Sequence, residues 1–129
     1  MTEPVWVDAL LVAELNERLV LRSGERFLLR DRGVLESAAM APRDRWRTER
    51  LDDPGILGLA LAMAIARNHP FAQGNEQTAW AAMLAFFALN GLALENQDHP
   101  YYAEIFIDVI AGEQPVEHLI DQMRLSVFE

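Results

Sequence analysis

The chain has no cysteine in 129 residues, which excludes disulfides and thiolate metal sites and fits a reducing compartment. Long hydrophobic runs are also missing. The two longest, Ile56–Ala66 and Ala79–Leu89, fall short of the roughly 20 residues that a bilayer-spanning helix needs. Met1-Thr2-Glu3-Pro4 carries neither the basic segment nor the apolar stretch of an export signal. The expectation is a cytoplasmic protein with no membrane contact. Positive charge is scarce as well: 11 Lys and Arg stand against 20 Asp and Glu, for a net charge of −9. Direct nucleic-acid binding is excluded on that ground, because phosphate neutralisation supplies most of its affinity. No His-x-His or His-Glu-x-x-His spacing occurs, which argues against a zinc site. A protein partner or a small-molecule site remains.

What the chain does have is apolar mass, 51% of its residues, enough to exclude disorder as the default state. No repeat, low-complexity tract or linker interrupts it, so residues 1–129 are expected to form a single domain. Val7, Leu10, Leu11, Leu15 and Leu19 follow helical spacing and predict a first amphipathic helix ending at Ser23-Gly24. Phe27-Leu28-Leu29 reads as a short strand or flap. Asp31 is the predicted cap of a second helix stopped near Pro42. Arg43, Arg45, Arg47 and Arg50, interleaved with Asp44 and Glu49, then read as a solvated linker with local ion pairs, a functional anion contact being the alternative.

Asp53 caps a third predicted helix, with Pro54 in its first position, running to about Asn68. Its apolar residues lie on every side, the mark of a central helix. The next runs from near Gly74 to Leu89, closed by Asn90-Gly91. Asp98 is the expected cap of another, and Pro115 to about Ser126 forms the last. His99 reads as a first-turn residue and His118 as a surface position. Met40, Met63, Met83 and Met123 read as core fillers. The expected architecture is therefore all-α: a compact bundle of about six helices with a central buried helix and a short β flap.

Between the two most apolar helices lies Asn68-His69-Pro70-Phe71-Ala72-Gln73-Gly74-Asn75-Glu76-Gln77-Thr78. Histidine titrates near neutral pH. A Gly-Asn pair opening a helix supplies backbone N–H groups at the helix's positive end. His69 beside the turn of Gly74, Asn75, Glu76 and Gln77 is a candidate phosphate site, and Phe71 is the candidate loop anchor. A histidine that merely caps the helix is the structural alternative.

His69 to Thr78 resembles the signature loop of the Fic/Doc family, whose general form is His-x-Phe, an acidic or polar residue, Gly or Ala, then Asn. Thr78 resembles the Lys-Arg-Thr ending of the Doc, or death-on-curing, branch. Leu29 to Ala38 resembles the Arg-Asp-x-Gly-Leu-Leu-Glu-Ser-Ala segment of Doc-like proteins. The resemblance implies a Fic/Doc fold and a toxin of a toxin–antitoxin system. Such a toxin would transfer a phosphoryl group, or as the second option a nucleotidyl group, from a nucleotide to a protein hydroxyl, and the resemblance implies His69 as general base with Gly74, Asn75, Glu76 and Gln77 on the nucleotide phosphates. The implied cofactors are ATP or another nucleotide with Mg2+. The implied partners are elongation factor Tu as substrate and a Phd-type antitoxin peptide.

Two departures from that pattern stand out. Gln73 occupies the metal position, where a carboxylate would suit a hard cation better. Glu76-Gln77 replaces Lys-Arg, a loss of three positive units. Each unit is worth about 3 kcal/mol against a phosphate charge roughly 5 Å away at an effective dielectric near 20. Arg30, Arg32 and Arg67 are the cations that could compensate. Two readings follow: an active transferase, or a catalytically degenerate binding module or inactivated toxin on the same fold.

Overall fold

The computed structural model describes residues 2–127. The Asp8 carboxylate accepts a hydrogen bond from the Leu11 N–H at 2.8 Å and starts α1, Ala9–Arg22. The buried line of α1 is Val12, Asn16 and Val20. Leu10, expected on that face, is 69% exposed. The face turns because a polar residue, Asn16, occupies its centre, and apolar periodicity alone skips over it.

Asp31 caps α2, Arg32–Glu49, by accepting from the Val34 N–H at 3.0 Å. The predicted stop near Pro42 does not occur. Pro42 lies inside the helix with its ring buried; it forfeits one backbone hydrogen bond, and its packing against the core offsets that loss. The arginine segment is therefore helical as far as Glu49 and is not a linker. Its ion pairs do form: Arg45 Nε lies 3.0 Å from Glu49 Oε2, and Arg43 Nε lies 3.1 Å from Glu3 Oε2. Arg45's hydrogen bond holds the exposed Glu49 carboxyl below its ordinary pKa. Met40, on the same helix, is 41% exposed rather than a core filler, whereas Met63, Met83 and Met123 are buried.

Asp53 caps α3, Pro54–Asn68, with bonds from the Gly55 and Ile56 N–H groups. Leu57, Leu59, Leu61 and Ile65 are all essentially inaccessible, each contributing about 1.5–3 kcal/mol by burial. The helix packs chiefly between α2 and α4, Asn75–Leu89. Gly58 permits the close approach of α3 to α4: a Cβ there would lie 2.6 Å from Phe87 Cε1. The chain leaves α4 through Asn90 and the left-handed Gly91.

Beyond α4 the expectation of helices alone fails in one place. A strand, β1 (Leu92–Leu94), is followed by α5 (Pro100–Ile110) and α6 (Val116–Gln122). The last helix does not reach Ser126. Met123 turns extended, and β2 (Leu125–Val127) pairs antiparallel with β1, Leu92 opposite Val127 and Leu94 opposite Leu125. The pairing gives β1 a partner that no helix could supply. The cap of α5 is His99 rather than Asp98: its Nδ1 accepts from the Tyr101 N–H at 3.1 Å. His118 lies on α6, as a partly exposed position. Among the described residues, six helices and a small two-stranded sheet make an all-α fold, with α3 in its centre. Among the described residues, no helix is long and apolar enough to cross a membrane.

Candidate functional site

The site begins where α3 stops. His69 takes left-handed backbone angles, φ 50° and ψ 61°, while its N–H still reaches the Ile65 carbonyl at 3.2 Å. Asn68 bonds back to the Ala64 carbonyl. Pro70 cannot continue a helix, so the chain swings out with the imidazole exposed to solvent.

Two devices hold the loop that follows. The first is the flap. The Pro70 carbonyl accepts from the Arg30 and Asp31 N–H groups at 2.7 and 3.2 Å, and the Ala72 N–H donates to Leu28 at 3.0 Å. Leu29 and Phe71 thus form a single antiparallel bridge. The second is Asn75. Its Oδ1 accepts from the Phe71 N–H at 3.0 Å and its Nδ2 donates to the Phe71 carbonyl at 2.8 Å. Phe71 itself is fully buried, its ring 6.1 Å from that of Phe27. The Asn75 side chain, read from sequence as an extra donor to phosphate, is committed to the loop's own backbone.

The start of α4 is left open. Gly74 is its N-cap, at φ 73° and ψ 20°, with no side-chain cap, and the first helical bond runs from the Thr78 N–H to the Gly74 carbonyl. Among the described residues, nothing accepts from the N–H groups of Gly74, Asn75, Glu76 or Gln77. Free amides at a helix start form an anion-binding nest. The Glu76 carboxylate and the Gln77 amide are exposed on the same turn.

Two cavities flank this turn. One of about 340 Å³ is lined by Leu19, Val20, Ser23, Glu25, Gln73 and Gly74, with Gln77 at its edge. The other, about 480 Å³, lies between α4 and α5 and is walled by Trp80, Leu84, Tyr102, Phe106 and Ile107. Leu19 and Gln77 line both, so the two meet at the first turn of α4. Asp98 and His99 sit on the wall of the second. A third cavity, between Trp46, Arg47, Arg50 and Asp52, belongs to the end of α2.

The compensating cations are only partly placed for the task. Arg67 Nη2 points to the Val109 carbonyl at 3.4 Å, and Arg32 pairs with Glu36 at 3.4 Å. Arg30 is exposed, its backbone tied to the loop through Pro70. All eleven cationic side chains are arginines, so the chain has no lysine to reach a phosphate. Gln73 offers a neutral amide oxygen, and among the described residues no three His, Asp or Glu side chains cluster. A neutral amide is a weaker donor for Mg2+ than a carboxylate.

Sequence reasoning missed Asn16 and read Thr78 only as the end of the loop motif. Among the described residues they are the buried polar side chains of the core, 1% and 0% exposed. Asn16 Nδ2 donates to the Gln73 carbonyl at 2.8 Å and to Thr78 Oγ1 at 3.0 Å. The available signal was an asparagine in the middle of an apolar stripe.

The family model described as Fic/DOC family matches residues 6–87. Toxin Doc of Mycolicibacterium smegmatis is 36% identical over 77 residues, which is 55% of this chain and 55% of that protein. The match thus spans about half the length of that curated relative.

Proposed function

From the premise that the chain belongs to the Fic/DOC family, we propose that it is a Doc-like toxin of a toxin–antitoxin pair. It transfers a phosphoryl group, or as the second option a nucleotidyl group, from a nucleotide such as ATP to a hydroxyl of a cytosolic protein. The observation that carries this reading is the pairing of an exposed His69 with the open amides of Gly74 to Gln77 across one braced loop. His69 takes the proton of the attacking hydroxyl as general base. The amides hold the phosphate oxygens and stabilise the charge that develops on them. Elongation factor Tu is the substrate that the family resemblance implies.

The proposed antitoxin contact uses the trough between α4 and α5. Its Trp80, Leu84, Phe106 and Ile107 suit the apolar face of a Phd-type peptide helix, and Glu76 and Asp98 suit basic residues beside that face. Such a peptide would lie against the first turn of α4 and cover the nest.

A specific feature favours the second reading, a degenerate module that binds without turnover. Glu76 places a negative charge beside the amides that would hold phosphate. Expression in bacterial cells separates the two. The transferase reading predicts growth arrest by the parent, relief by His69→Ala, and relief by a co-expressed antitoxin peptide. Equal growth of the parent and His69→Ala would favour the binding module.

A further inference from the structure

A peptide group presents either its N–H or its C=O to a given side, and in the trans form the two point oppositely. The Gln73–Gly74 peptide is trans, as are all those described. Its carbonyl is turned toward α1, where Asn16 Nδ2 donates to it at 2.8 Å. The Gly74 N–H consequently faces away from α1. Rotating this one peptide by half a turn would put a carbonyl oxygen where that N–H now lies.

Glycine does not resist that rotation, because it adopts positive and negative φ about equally well. Position 74 nevertheless has no room for a stiffer residue. A Cβ there would lie 2.9 Å from Val20 Cγ1 and 3.2 Å from Asn16 Nδ2. At Gly74 the backbone therefore has no steric preference of its own for one orientation, which leaves a role for a group outside the turn.

We propose that Asn16 is a positioning residue that fixes the polarity of the loop. By binding the Gln73 carbonyl from below, it keeps the Gly74 N–H directed outward and makes the start of α4 a site for anions. Asn16 is 1% exposed, so it touches no ligand and acts only through this peptide. Its second bond, to Thr78 Oγ1, ties the same amide to the first turn of α4. The proposal rests on the reading of the site given above, and deepens it by assigning the orientation of its donors.

The test uses the full chain with three substitutions. Asn16→Leu keeps the approximate size and removes the donor; Asn16→Ala answers the same question should leucine prevent folding. Thr78→Val removes the other bond and leaves the Gln73 contact in place. Two quantities are read by NMR: the sign of φ at Gly74, and the shift of the Gly74, Asn75 and Glu76 amides on titration with inorganic pyrophosphate. The parent and Thr78→Val should keep a positive φ and similar pyrophosphate affinity. The folded Asn16 variants should lose the positive φ and bind pyrophosphate at least about tenfold more weakly, the worth of one charge-assisted hydrogen bond. A folded Asn16 variant that keeps the positive φ at Gly74, or Thr78→Val losing as much affinity, overturns the proposal. Absence of any amide shift in the parent counts against the anion-site reading, while the φ measurement still decides the role of Asn16.

Discussion

His69 holds a left-handed backbone conformation that costs a residue with a Cβ roughly 1–2 kcal/mol. Its neighbours absorb that cost: the flap pins Pro70, and Asn75 pins Phe71 on both sides. His69→Gly should therefore be more stable than His69→Ala by about 1 kcal/mol in urea denaturation, with both variants equally inactive in transfer. Equal stabilities would show that the left-handed turn is unstrained. Asn75→Ala removes two backbone bonds around a buried phenylalanine and should cost about 2–3 kcal/mol. At this scale the sequence was legible where a residue type has one use. Phe71 is a buried aromatic, and Gly74 sits at a positive φ. It was less legible where a side chain can serve two ends. Asn75 reads as a phosphate donor in one dimension and proves to be a staple in three, because only the fold brings its amide back to Phe71.

Helices declare themselves through caps and stop signals, and Asp8, Asp31 and Asp53 all cap the helices that follow them. Pro42 and the chain after Gln122 were misread for opposite reasons. A buried proline is tolerated within α2 because its ring fills core space. A helix-like apolar pattern near the C-terminus gave way to β2 because β1 offered an open edge. Neither outcome depends on local propensity alone. Two predictions belong here. His99→Ala should destabilise α5 by about 1 kcal/mol through loss of its cap, and His99→Asn should restore most of it, both read from thermal unfolding. Gly58→Ala forces a methyl to within 2.6 Å of Phe87 and should cost about 1–3 kcal/mol by overpacking the α3–α4 contact. Unchanged stability in Gly58→Ala would mean that the two helices can separate freely.

Taken whole, the molecule sets the proposed anion-binding turn within a chain of net charge −9. Long-range charge opposes a nucleotide's approach, and Glu76 opposes it locally. Glu76→Lys combined with Gln77→Arg returns three positive units to the turn. It should raise nucleotide affinity at least about tenfold at low salt, with the gain shrinking as ionic strength rises. Calorimetry of the parent and the double variant checks this; equal affinities would mean that the amides alone set binding. The central claim is that His69 and the amides of α4 act together on a phosphate donor. Its most direct test is label transfer by purified protein from nucleotide carrying the label at the γ or the α phosphate, with a candidate acceptor protein present. The account predicts transfer by the parent and a loss of about a hundredfold or more in His69→Ala. Transfer undiminished by that substitution would contradict it.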